Sequence, residues 1–425
     1  MNMSAWISLL LAVPVLLLGE TLVRRIRFLS RFNIPAPVVG GLLVSLGILA
    51  LNVSGLISTS LELKTSASWW TWLVTIEPEW RSSPAKNVNL PFLVGFFTCI
   101  GLNASWSLVK RGSLQIVTFL LISAALAVVQ NVLGVALSYA LGVSPLLGLV
   151  CGAVTLTGGH ATALGFAPDL EEAGLPIAAV AGMAAATFGL ISGGLLGGPV
   201  GGMLIRKRRL QSSATQETGS ESGQTRAGGI LQDLRALGGY GMSFVLHLLL
   251  LLLCVKLGAW VSHFLQASGL TFPIAVGAML LAVAIRNALD LAGARWISTE
   301  IVDVLASVVL GVFLATAMMS LNLLELAHTA VPMLIILAVQ VVVMVLFAWL
   351  ITFRVMGGDF EAAVMSGGHV GFGLGATSTA VANMKALVES FGPAPRAFLV
   401  VPIVGAFLID FLNALNITSF INLVK

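Results

Sequence analysis

Two short motifs hold most of the side chains that could do chemistry: Thr157-Gly-Gly-His160 and Ser366-Gly-Gly-His369. An imidazole can move a proton, ligate a metal or hold a hydrogen bond. A metal site built on two histidines needs further carboxylate or thiolate ligands, and no Asp, Glu or Cys flanks either motif in a completing pattern. A hydrolase needs a nucleophile oriented by a base, and neither histidine has an acid or an obvious nucleophile beside it. Binding is left. The second motif opens a run with Gly367, Gly368, Gly371, Gly373 and Gly375. Each glycine costs a helix about 1 kcal/mol against Ala, so the run predicts a sharp turn that brings bare backbone close to a ligand. A helix that starts at such a turn aims free N–H groups at an anion such as a carboxylate. Carbonyls and hydroxyls at the same place are hard donors for a small cation. The predicted substrate contacts are therefore Thr157, Gly158, Gly159, His160, Ser366, Gly367, Gly368, His369, Thr377 and Thr379. Two bland readings stay open: the glycines can serve close helix packing, and the histidines can simply hold the turns.

Asp410 is the acid set deepest in an apolar stretch, Ala-Phe-Leu-Ile-Asp410-Phe-Leu-Asn413. An intramembrane carboxylate is costly and marks function by default. Asn413 follows one turn later on the same face. The pair could bind sodium or couple to protons, or Asp410 could pair across a bundle for structure. Thr187 lies in the corresponding stretch of the first half. Gln130 and Gln340, in other apolar stretches, are expected to bridge helices. Asp303, near the start of another, could simply cap it.

The elements that must position these groups are membrane helices. Hydrophobic residues make up 58% of the 425-residue chain and charged residues 9%, against about 25% charged in soluble domains; mean hydropathy is +1.01. The net charge of +4 sits in clusters between apolar runs, which fits membrane topology and not nucleic acid. Spans are expected near 5–23, 36–52, 90–108, 114–141, 176–205, 240–266, 271–288, 300–323, 328–356 and 396–422. Two Gly/Ser/Thr-rich stretches, 145–168 and 360–385, either cross or re-enter. If both re-enter, the cytoplasm receives the Arg24–Arg31 cluster, Lys110, Arg111, Arg206–Arg209, Arg226, Arg235, Arg286, Arg295, Arg354, Lys385 and Arg396. Only Lys64, Arg81, Lys86 and Lys425 then lie outside, with Lys256 inside a span. If both cross, the Arg206–Arg209 block faces out, so the positive-inside rule prefers re-entry. Both termini are then outside. The outer loop 53–89 carries Trp69, Trp70, Trp72 and Trp80, expected at the membrane interface.

A linker at 206–239, Ser/Gly/Thr/Gln-rich over 211–229, divides the chain into halves 1–205 and 240–425. The halves echo each other. Pro37-Val-Val-Gly-Gly answers Pro273-Ile-Ala-Val-Gly. Gln130 answers Gln340, and His160 answers His369, at separations of 210 and 209 residues. Five spans and one re-entrant loop per half make the repeats inverted, the architecture of many secondary transporters. The fold class expected is an all-α polytopic membrane protein of two inverted repeats, with re-entrant loops entering from opposite sides so that their tips can meet.

At these residues the sequence resembles the bacterial sodium/glutamate symporter family over nearly its whole length. The resemblance is carried by Pro35-Ala-Pro-Val-Val-Gly-Gly41, Ile100-Gly-Leu-Asn-Ala104, Thr157-Gly-Gly-His160, Ala186-Thr-Phe-Gly189, Gly367 to Thr377, Ala382-Asn-Met384, and Phe398 to Phe407 followed by Asp410. It implies an elevator-type carrier, not an enzyme. It would take up L-glutamate with sodium as the coupling ion and no other cofactor. It would sit in lipid at the bacterial inner membrane as a homodimer whose mobile domain moves past a fixed scaffold. Asp410, Asn413, Thr187 and Asn383 are the expected sodium-coupling residues. Ala161 and Ala163 in the first loop, and Ser378 where proline is expected, depart from the family pattern near the substrate tips. A proton- or sodium-coupled carrier of another acidic amino acid or dicarboxylate is the alternative.

Overall fold

The computed structural model describes residues 2–31, 34–54, 60–76, 86–105, 114–212, 240–267, 274–294, 296–321 and 329–424. In chain order its main helices are α1 (Ala5–Arg25), α2 (Ala36–Val53), α3 (Leu90–Asn103), α4 (Leu114–Ala140), α5 (Pro145–Leu149), α6 (Gly159–Glu172) and α7 (Ala178–Arg208). There follow α8 (Gly241–Ala267), α9 (Ile274–Leu291), α10 (Thr299–Met319), α11 (Ala330–Phe347), α12 (Phe360–Gly373), α13 (Thr377–Phe391), α14 (Pro395–Ile403) and α15 (Ile409–Val424). Among the described residues, six helices are long and apolar enough to cross a membrane: α1, α4, α7, α8, α10 and Ala330–Val355. This is a multi-pass membrane protein. The expected spans fall on helices, but the last is interrupted. A π-helical segment, Val404–Leu408, separates α14 from α15 just after Pro402, whose missing N–H breaks the regular ladder. Two more π segments occur, Val150–Val154 after α5 and Ala348–Thr352 after α11.

The 206–239 linker lies mostly outside the described residues, as does Trp80. Its first residues are helical, since α7 continues through Arg208 and ends at Arg209 in the left-handed region (φ 54°). Basic residues in a last turn suit the helix dipole. Here Arg206 also lies 5.5 Å from the ring of Phe391 and Lys207 5.2 Å from that of Trp349.

The chain forms two compact units, each taking a stretch from either half: residues 1–107 with 228–325, and 108–227 with 326–425. In the first unit α3 packs on α9 and α10, α8 on α9, and α1 and α2 on each other and on α10. Its polar bonds gather at helix ends. Asn287 Nδ2 donates to the Ala104 carbonyl at 3.0 Å, and Arg286 donates to the Leu102 carbonyl at 3.4 Å. These satisfy carbonyls that the end of α3 leaves open. Asp303 does not cap α10. Ser298 holds that position, and Asp303 instead accepts from Asn103 Nδ2 at 2.7 Å. Lys256, inside α8, donates to the Trp72 and Thr75 carbonyls at 2.8 and 2.7 Å and lies over the Trp72 ring. In the same unit, Trp6 stacks on Trp69 at 5.3 Å.

In the second unit, α7 carries Gly189, Gly193, Gly197 and Gly201 at four-residue spacing, so they share one face. A Cβ on any of the four would crowd α12 backbone or the turn after it: in turn the Leu374 carbonyl, the Gly371 carbonyl at 3.1 Å, the Gly367 carbonyl at 2.5 Å and the Ala363 carbonyl at 3.1 Å. Backbone approach this close is the packing that small residues permit within a membrane. It seats the α12–α13 hairpin on α7.

Candidate functional site

Both predicted re-entrant stretches are helix–break–helix, and both belong to the second unit. In the first, the chain kinks at Gly152 (φ −104°, ψ −137°), turns through 155–158 and restarts as α6 at Gly159 (φ 67°). The kink costs the Ala153 N–H its helical partner, while the Ala153 carbonyl still accepts from Gly158 N–H at 3.0 Å. Asn131 Oδ1 of α4 accepts the Ala153 N–H at 2.9 Å, and Asn413 Nδ2 of α15 donates to the Ala153 carbonyl at 2.9 Å. Two asparagines from separate helices thus support broken backbone, which membrane depth requires.

The second break does not fall where the sequence predicts. Ser366, Gly367, Gly368 and His369 are helical, inside α12, and the chain turns at 374–376. Here the small-residue reading holds: Gly367 faces the Gly197 carbonyl and Gly371 faces Ala380. Ser366 is wholly buried and bonds to the Ala362 carbonyl of its own helix at 2.8 Å.

The histidines differ accordingly. His369, 0% exposed, is ringed by Phe119, Phe347 and Phe372. Ser123 gives its proton to the Phe119 carbonyl (2.7 Å), so its oxygen accepts from His369 Nε2–H at 3.4 Å. Nδ1 then accepts from Thr352 Oγ1 at 2.8 Å. With both nitrogens engaged, the ring ties α12 to α4 and to the π segment after α11. His160 lies in the first turn of α6. Thr187 donates to the Met183 carbonyl at 2.8 Å, so its oxygen accepts from His160 Nε2–H at 3.1 Å.

The two breaks meet. A Cβ on Gly159 would lie 2.9 Å from the Gly375 carbonyl. Gln130 of α4 accepts from Thr157 Oγ1 at 2.6 Å and donates to the Gly373 carbonyl at 2.8 Å. Gln340 of α11 donates to the Gln130 backbone carbonyl at 2.7 Å. Both glutamines bridge helices, as expected. α6 and α13 start at these breaks with Gly158 and Ala376 as their N-cap residues, neither of which supplies a side-chain cap. Thr377 donates to the Gly405 carbonyl of the last π segment at 2.6 Å, while Thr379 Oγ1 is buried with no partner among the described residues. Asn413 Oδ1 is likewise buried with no partner among the described residues. Asp410 is half-buried and makes no hydrogen bond or ion pair among the described residues.

The sequence profile of the sodium/glutamate symporter family matches over residues 1–76 and 70–393. The chain is 39% identical to the sodium/glutamate symporter of Haemophilus influenzae over 414 residues, which is 97% of this chain and 95% of that one. It is 38% identical to that of Escherichia coli over 419 residues, 98% and 97% of the two chains. The chain belongs to the sodium/glutamate symporter family.

For this symporter-family chain, the structure groups the predicted residues in three places. Thr157, Gly158, Gly159 and His160 sit at the first break, and Thr377 and Thr379 at the start of α13. Ser366 to His369 lie in the helix before the second break. The four coupling candidates share no hydrogen bond. Asn383 Nδ2 donates to the Gly193 carbonyl at 2.9 Å, Thr187 binds His160, and Asn413 binds Ala153. Sequence reasoning missed Asn131, Ser123 and Thr352. The available signal for Asn131 was a second amide beside Gln130 in a long apolar run, since polar groups at membrane depth are expensive.

Proposed function

We propose that this chain is a sodium-coupled symporter that takes up L-glutamate across the bacterial inner membrane, with the two apposed breaks as its site. The observation that carries the reading is the meeting of two uncapped helix starts, α6 and α13, at one place in the second unit. Free N–H groups and the positive helix ends suit the carboxylates of an acidic amino acid. Thr157, Gly158, Gly159, His160, Thr377 and Thr379 line those starts as substrate contacts. Ser366, Gly367, Gly368 and His369 set the seat of the hairpin.

Sodium, a hard cation, takes oxygen donors. Asp410 offers a carboxylate with no partner among the described residues, and Asn413 Oδ1 is an open acceptor one turn further along. Thr187 and Asn383 act on coupling through the groups they hold, His160 and the Gly193 carbonyl. Asn413 also grips the kinked Ala153, so an ion held beside it steadies the first break. Sodium and glutamate then raise each other's affinity equally.

The five-plus-five inverted topology, the outward termini and the homodimer belong to the same reading. In it the second unit is the mobile body that carries the site and the first is the fixed scaffold. Uptake of labelled glutamate into proteoliposomes under sodium, lithium or potassium gradients tests it. Uptake that saturates and follows the sodium gradient is expected; uptake indifferent to sodium rejects it.

A further inference from the structure

Gln130 holds a place that the transport reading leaves without a role. It lies in the middle of the unbroken helix α4, is 1% exposed, and reaches both breaks with one planar amide. Its Oε1 takes the hydroxyl proton of Thr157 in the first turn at 2.6 Å, and its Nε2 gives a proton to the carbonyl of Gly373, at the edge of the second turn, at 2.8 Å. The amide cannot swap ends, because a flip would set Oε1 against the Gly373 carbonyl, two acceptors facing each other. The residue is itself anchored: Gln340 Nε2 donates to its backbone carbonyl at 2.7 Å, and Gln340 is wholly buried. The repeat does not reproduce the bridge. Gln340, which answers Gln130 in the second half, leaves its own Oε1 with no partner among the described residues.

We propose that Gln130 is a positioning residue that couples the two turns, so that an occupant of one sets the affinity of the other. An ion or substrate that orders the Thr157 turn fixes Oε1. The rigid amide plane then fixes where the Gly373 carbonyl, and the start of α13 four residues further on, must lie. Coupling of this kind is reciprocal. The inference rests on the reading that the two turns form the glutamate and sodium site.

The test is calorimetric binding of glutamate to the purified full-length protein at low and at saturating sodium. The readout is the ratio of the two dissociation constants. Gln130→Met keeps the volume and removes both side-chain bonds; Thr157→Val keeps the shape and removes one. Either substitution is expected to lower the sodium-induced gain in affinity about ten-fold, within the range usual for coupled sites. The double variant should fall no further, because both changes break the same bridge. Gln340→Met should lower the melting temperature and leave the ratio unchanged. A Gln130→Met protein that melts earlier but keeps the wild-type ratio overturns the proposal and makes Gln130 a brace. Additive effects in the double variant overturn it too. If Gln130→Met does not fold, Thr157→Val decides alone, and an unchanged ratio there rejects the bridge. Wild-type binding of glutamate that ignores sodium rejects the transport reading instead, which is a separate outcome.

Discussion

The two compact units solve the same problem, polar groups in an apolar protein, in opposite ways. In the first unit, side-chain bonds collect at helix ends, where Asn287, Arg286 and Asn103 serve the end of α3 and its neighbours. Its described helices carry no π segment. In the second unit, polar side chains sit in the middle of helices and serve interruptions. Asn131 and Asn413 hold the Gly152 kink, Gln130 spans two breaks, and three π segments break the regular ladder. Regular helices have one stable arrangement. Interrupted helices leave donors and acceptors that a ligand can use, at the cost of needing precise internal support. On the proposed reading, the difference is that between a frame and a binding body.

Substitutions can break or sharpen that contrast. The largest effect is expected at Gly371→Val, whose Cβ would lie 2.7 Å from the Ala380 backbone. Backbone cannot yield there, so glutamate uptake should drop to background while membrane levels persist; normal uptake would refute the seating of the hairpin. Next, Asp410→Asn should raise the sodium concentration for half-maximal uptake about ten-fold, as loss of a charged ligand implies. An unaltered sodium dependence removes Asp410 from coupling. Asn131→Ala strips the acceptor from the Ala153 N–H. It should cost about 1–3 kcal/mol in thermal unfolding of the detergent-purified protein and also reduce uptake. The smallest effect is expected in the first unit. Lys256→Met removes two carbonyl bonds and a ring contact, worth about 1–2 kcal/mol of stability, with uptake per folded molecule unchanged. A Lys256→Met protein with altered sodium dependence would collapse the distinction between the units.

Much of this was readable in advance, for definable reasons. Apolar length marks a span directly, so α1, α4, α7, α8 and α10 fall where hydropathy puts them. Glycine content located both helix breaks but misplaced the second turn. Its glycines had two possible uses, and the Gly367 face was spent on α7 and the Gly371 face on α13. The four-residue recurrence of Gly189, Gly193, Gly197 and Gly201 was present in the sequence as a period and went unread. The division into units was not legible, because it depends on contacts between stretches such as 1–107 and 228–325 that no local pattern encodes. Nor was the bracing of His369, since Ser123 and Thr352 lie 246 and 17 residues away from it.

The π segment at Val404–Leu408 has a consequence for how the last span is drawn. A π turn holds one residue more than an α turn, so everything after it is advanced by about 100° around the axis. Pro395–Ile403 and Ile409–Val424 are therefore out of phase. A helical wheel drawn through the whole stretch would aim Asp410 and Asn413 at the wrong neighbours. A single-residue deletion within 404–408 would restore a continuous α-helix and swing both side chains to a different azimuth. The composition of the span would hardly change, but the carboxylate and the amide that holds Ala153 would address other partners.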